Sequence, residues 1–108
     1  MRINIWIESA VEPYVVGWNV CEGELVVIPG YEDFQFYLTK AVEPWDEGMF
    51  RITEARTGYY VGIAGVDKQQ AITAAIMSLE KHGKQEIKDR IDNLVALHGE
   101  APCLSPIQ

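Results

Sequence analysis

His82, His98, Cys21 and Cys103 are the side chains of this 108-residue chain with the most chemistry to offer. Each histidine stands one residue before a glycine, Gly83 and Gly99. An imidazole there can serve the last carbonyls of a helix and the negative end of its dipole, so a structural role is expected for both. His98 and Cys103 form a His-x4-Cys pair, but a zinc site takes three or four ligands and no others stand nearby, so no metal centre is expected. Cys21 ends an apolar stretch, where a thiol behaves as a small buried hydrophobe. A Cys–His nucleophile pair would need the fold to bring Cys21 to a histidine. Cys21 and Cys103 make no Cys-x-x-Cys motif, and two thiols in a reducing compartment are expected. Gly58, Gly62 and Gly65 lack the strand, helix and lysine context of a phosphate-cradling loop. Neither catalysis nor a cofactor is implied.

Carboxylates beside aromatic rings are the second constellation. Glu12 and Tyr14 flank Pro13, Tyr31 precedes Glu32 and Asp33, and Glu43-Pro44-Trp45-Asp46-Glu47 repeats the theme. Acids steer a domain toward a basic surface, and Trp and Tyr are frequent interface anchors. Glu12, Tyr14, Tyr31, Glu32, Asp33, Glu43, Trp45, Asp46 and Glu47 are therefore the candidate partner-binding residues. In the plainer alternative, Phe34 and Trp45 point into the core and the acids keep an ordinary sheet soluble.

The charge distribution favours the first reading. Net charge is −7. Residues 3–50 carry nine acids against one base, Lys40, a net of −8, whereas residues 51–108 carry seven of each. Direct nucleic-acid binding rests on clustered Lys and Arg and is not expected; a basic protein partner is. The opening residues alternate and lack the apolar run of a signal peptide, and no segment approaches the roughly 20 apolar residues of a membrane span. The cytoplasm is the expected compartment, that of the host cell if a phage encodes the chain.

These residues must be held by one α+β domain spanning 1–108, strand-rich over 1–65, helical over 67–98 and irregular over 99–108. Ile3, Ile5 and Ile7 alternate with Arg2, Asn4 and Trp6, the period of a half-buried strand. Tyr14–Cys21 predicts a second strand, Glu22-Gly23 a hairpin turn, and Leu25–Ile28 a third. Asp33–Ala41, Met49–Ala55 and Tyr59–Ala64 complete an antiparallel meander of about five to six strands, since short turns leave no room for parallel crossovers. The period then changes. Asp67 with Gln70 makes a capping box, Ile72, Ala75, Ile76 and Leu79 form a stripe, and Gly83 ends the first helix. A second helix over 84–98 carries Ile87, Ile91, Leu94 and Val95 on its apolar face, with Glu86–Arg90 and Lys88–Asp92 as i,i+4 pairs. Both helices are expected to cover one sheet face.

Residues 50–72 resemble the hairpin-then-helix pattern of small phage and mobile-element proteins. They are also similar to the core of HicB-type antitoxins, where a helix opens on an Ala-Ile-like step as at Ala71-Ile72, although the further strand of that family has no counterpart. In size, charge and lack of a catalytic motif the chain resembles anti-CRISPR and anti-restriction proteins. These resemblances imply an inhibitor that occupies the basic surface of a nucleic-acid enzyme, or an antitoxin-like neutraliser of a basic toxin. Two other readings compete: a homo-oligomeric assembly module using an open strand edge, and a small-molecule binder or enzyme with a deep pocket near Cys21, His82 or His98.

Overall fold

A computed structural model describes residues 2–8, 16–40 and 48–101. Five strands, β1 (Arg2–Glu8), β2 (Val16–Val26), β3 (Phe36–Lys40), β4 (Phe50–Glu54) and β5 (Tyr60–Gly65), form an antiparallel sheet in sequence order. Two helices follow, α1 (Lys68–His82) and α2 (Lys84–His98). The fold is the expected α+β meander with two C-terminal helices.

β2 departs from the expectation. Glu22-Gly23 is not a hairpin turn, and Leu25–Ile28 is not a separate strand: one strand runs through Glu22-Gly23 and ends at Val26. It changes partner there, pairing with β1 up to Glu22 and with β3 from Gly23. A Cβ on Gly23 would lie 3.1 Å from Ile3 Cδ1 and 3.2 Å from Tyr37 Cβ. The glycine that suggested a turn is a point of close approach, where the β1–β2 ribbon folds over the sheet. The strand expected over 33–41 begins only at Phe36, because residues 31–34 form a hydrogen-bonded turn.

That folding covers the sheet on both faces. On one, Phe36, Leu38 and Ile52 pack with Ala71, Ala75 and Leu79 of α1 and Ile87 and Ile91 of α2. On the other, Tyr37 packs with Ile3 and Ile5 of β1. Thr39 and Thr53 are buried on that second face and satisfy one another through hydroxyls 3.1 Å apart. β3 is consequently buried along four of its five residues.

α1 begins where the capping box predicts. The Asp67 carboxylate accepts from Gln70 N–H at 2.8 Å, and the Gln70 side chain reaches back to Val66 N–H at 3.2 Å. Ala71, Ala75 and Leu79, spaced by four, are its fully buried residues, with Ile72 and Ile76 flanking them. Small residues let the helix rest directly on β5. A Cβ on Gly65 would sit 2.5 Å from Ala71 N, and one on Gly62, whose φ is +80°, 2.7 Å from the Ala74 carbonyl. The expected helix pairs are replaced by others: Glu86 contacts His82 at 3.1 Å and Asp92 contacts Arg56 at 3.5 Å.

Gly65→Ala should therefore destabilise the fold by about 2 kcal/mol or more, since helix or strand must shift. Gly30→Ala, where φ is +89° but nothing lies within 4 Å, should cost only about 1 kcal/mol of backbone strain. Urea midpoints at constant m-value test the contrast.

Candidate functional site

Of the nine expected partner-binding residues, Tyr31, Glu32 and Asp33 are described; Glu12, Tyr14, Glu43, Trp45, Asp46 and Glu47 lie outside the described residues. The segment 28–34 is tied by its own backbone. Tyr31 N–H donates to Ile28 O at 2.9 Å and Phe34 N–H to Tyr31 O at 3.1 Å. Tyr31 and Phe34 pack against the helix-side core, and the Phe34 and Phe36 ring centroids are 6.0 Å apart. Glu32 and Asp33 are exposed between those two anchors. The plainer expectation for Phe34 is met, and the same packing fixes the acids next to it.

The electrostatics of this turn are local. The Glu32 carboxyl is held below its ordinary value, first by its own backbone N–H, then by that of Gly30, with the Lys84 charge contributing less. Lys84, the first residue of α2, places Nζ 3.3 Å from the Asp33 carboxylate and 5.8 Å from the Tyr31 ring centroid. A cation thus already sits against an acid and an aromatic ring of this turn.

The other chemistry-bearing residues have structural surroundings. Burial, and next the neighbouring Glu22 charge, push the Cys21 thiol up to about 11, the opposite of nucleophile activation. It lines an open groove of about 400 Å³ with Leu38, Lys40, Phe50 and Lys68. His82 bonds Glu86 across the helix junction. His98 stacks on Trp6, with centroids 4.2 Å apart, and Trp6 meets Trp18 edge-on at 5.0 Å. The Trp6 indole N–H is buried with no hydrogen-bond partner among the described residues. No group of three or more metal-ligating side chains occurs among the described residues, nor does any helix long and apolar enough to cross a membrane.

The residue that the sequence did not single out is Glu54, 3% exposed. Its Oε2 accepts from Arg56 N–H at 2.8 Å and its Oε1 from Thr57 N–H at 2.9 Å. Its backbone carbonyl also takes the Gly58 N–H. A buried carboxylate that receives two backbone donors fixes the turn between β4 and β5. Gly58 within that turn accepts from Trp6 N–H at 2.9 Å, and a Cβ there would lie 2.7 Å from the Trp18 ring. The only sequence signal was the position of an acid two to three residues before a turn.

No protein-family model, curated protein or solved structure matches the chain. Residue geometry therefore carries the functional reading.

Glu54→Gln should cost about 2–3 kcal/mol, because the amide presents an NH2 group to one of two backbone donors and leaves it unsatisfied. Denaturation and faster hydrogen exchange at Arg56 and Thr57 are the readouts. In a Cys103→Ser background, alkylation of Cys21 should be roughly a hundredfold slower near pH 7.5 than for an ordinary thiol. Because the folded state favours the neutral thiol, the rate should still be climbing at about pH 10. A plateau near the ordinary thiol pKa would contradict the burial.

Proposed function

We propose that the chain works by binding a basic protein surface through the carboxylates of its N-terminal half. In this reading it is an inhibitor that keeps nucleic acid out of a Lys- and Arg-lined groove, in the manner of an anti-defence protein. The observation that carries it is the Tyr31–Phe34 turn. Two exposed acids stand between two rings anchored in the core, on a backbone closed by its own hydrogen bonds. Acids held this way lose little freedom on binding, so electrostatic steering converts into a defined docking geometry. The net charge of −7 supports the same reading, because it opposes contact with a polyanion.

Self-association is a second reading, favoured by β5. It is the last strand of the sheet, and Ile63 within it and Val66 just after it are 77% and 63% exposed. Against it, Gly62 with φ +80° interrupts the extended backbone in the middle of that edge, a device that discourages strand addition. At the acidic turn the standing cation, Lys84, is held by an exposed pair worth at most about 1 kcal/mol, and binding to a different, basic protein is preferred.

Affinity capture from the source cell, eluted with a salt gradient, tests both readings. Basic nucleic-acid-binding proteins should be retained and released as ionic strength rises, because exposed charge pairs are screened over about 8 Å at physiological salt. With a captured partner in hand, Glu32→Lys/Asp33→Lys should slow association by roughly tenfold or more at low salt and change dissociation less. Unchanged association of that variant, or capture of the chain's own copies alone, would sink the proposal.

A further inference from the structure

Between α1, α2 and the β4–β5 hairpin lies a cleft of about 250 Å³. Its apolar wall comes from Val61 of β5 and Ile91 and Leu94 of α2, and Tyr59 closes one side. The cleft follows from how the helices are held. α1 lies hard against β5 through Gly62 and Gly65. α2 is tied by exposed ion pairs as well, Lys84 to Asp33 at its start, Asp92 near its middle to Arg56, and Glu100 beyond its end to the same arginine. Ile87 and Ile91 of α2 are buried in the core, and the cleft lies alongside them, between α2 and β5.

Glu54, His82 and Arg90 all line this cleft, and they differ in how far they are committed. Arg90 lines it and is exposed, and no hydrogen bond or ion pair joins its guanidinium to any described residue. Its natural helical neighbour Glu86, one turn earlier, is engaged by His82 instead. The carboxylate nearest the floor, Glu54, has each oxygen bonded to a backbone N–H of its own turn. An uncommitted guanidinium therefore stands over an apolar wall, and a guanidinium fork matches a carboxylate in a bidentate fashion.

We propose that this cleft binds a small carboxylic acid with one aromatic ring or a branched aliphatic body, its carboxylate on Arg90 and its body against Val61, Ile91 and Leu94. The volume sets the size class, since sites for drug-sized ligands run from roughly 300 Å³ upward. The proposal does not depend on the protein-binding reading. Asp33, Lys84 and Lys88 line a different groove, of about 490 Å³, which has Glu54 and Ile91 in common with this one.

Phenylacetate is the probe, titrated into the ¹⁵N-labelled full chain while amide shifts are followed. Saturable shifts should appear at Thr57 to Gly62 and Ile87 to Leu94, with a Kd on the order of 1 mM for so small a ligand. Phenethylamine, with the same ring and the opposite charge, should produce none. Arg90→Gln, at an exposed position whose own spectrum reports that it is folded, should weaken phenylacetate by about tenfold or more, and Lys88→Gln should leave it unchanged. The proposal is overturned if phenylacetate gives no saturable shift up to about 10 mM. Equal binding of phenethylamine, or wild-type affinity in Arg90→Gln, overturns it as well.

Discussion

One buried carboxylate holds the molecule's elements together. Glu54 stands at the end of β4 and ties down two backbone donors of the turn that follows. Five polar contacts from distant parts of the chain end on that turn. Trp6 N–H donates to Gly58 O, Ala55 N–H to Gln35 O, and Ala101 N–H to Arg56 O. The Arg56 side chain binds Glu100 at 2.7 Å and Asp92 at 3.5 Å. The first strand, the approach to β3 and the exit from α2 thus share a docking point. A charge is suited to this role, because in a site shielded from water each carboxylate–amide bond is stronger than its neutral counterpart. The desolvation cost is offset only while both donors are in place.

The second constraint is that the sheet is covered on both sides by unequal means. Helices bury one face with aliphatic side chains. On the other, Ile3 and Ile5 of β1, part of the same sheet, return over Tyr37, and Thr39 and Thr53 are buried on that face. A strand can cover its own sheet only if the connecting strand bends sharply, and β2 does so at Gly23, where it exchanges β1 for β3. The hydrogen bond from Trp6 to Gly58 then secures the edge of β1 that faces away from β2. His98 stacks on the same Trp6, so the end of α2 and the edge of β1 are held by one indole ring.

Elements with a local signal were legible in the sequence. The Asp67 cap, the stop at Gly83, the α2 stripe of Ile87 and Ile91 and the β4–β5 hairpin each follow from residues within a few positions of one another, and each is present. What was not legible depends on distant partners. Glu22-Gly23 has the composition of a turn, and only the approach of Ile3 and Tyr37 shows why the glycine belongs inside a strand. Tyr37 and Thr39 have the polarity of a solvated face, yet both are buried, Tyr37 beneath Ile3 and Ile5 of β1. Glu54 has no sequence feature that separates it from a surface acid, since its donors belong to a turn whose shape it creates. The candidate site was half legible: the acids of 31–34 are exposed as expected, while the anchoring of both flanking rings required the fold.

The fold also changes what the charge count means. By sequence the helical half balances its own charge, but two of its lysines lie against acids of the first half: Lys68 at 3.3 Å from Glu24 and Lys84 at 3.3 Å from Asp33. Both pairs are exposed, and exposed pairs contribute between nothing and about 1 kcal/mol. They reduce the field that a distant partner meets, yet they present little resistance to a better-placed guanidinium. Lys84 beside Asp33 and the Tyr31 ring occupies the position that a partner's cation would take. A basic partner would displace it by exchanging one exposed ammonium for another cation, leaving the backbone of the turn as it stands. The same lysine opens α2, whose far end is clasped to the turn braced by Glu54. The acidic turn and the cleft thus both border one helix, which Lys84 pairs with Asp33 and Asp92 pairs with Arg56 of the turn that Glu54 braces.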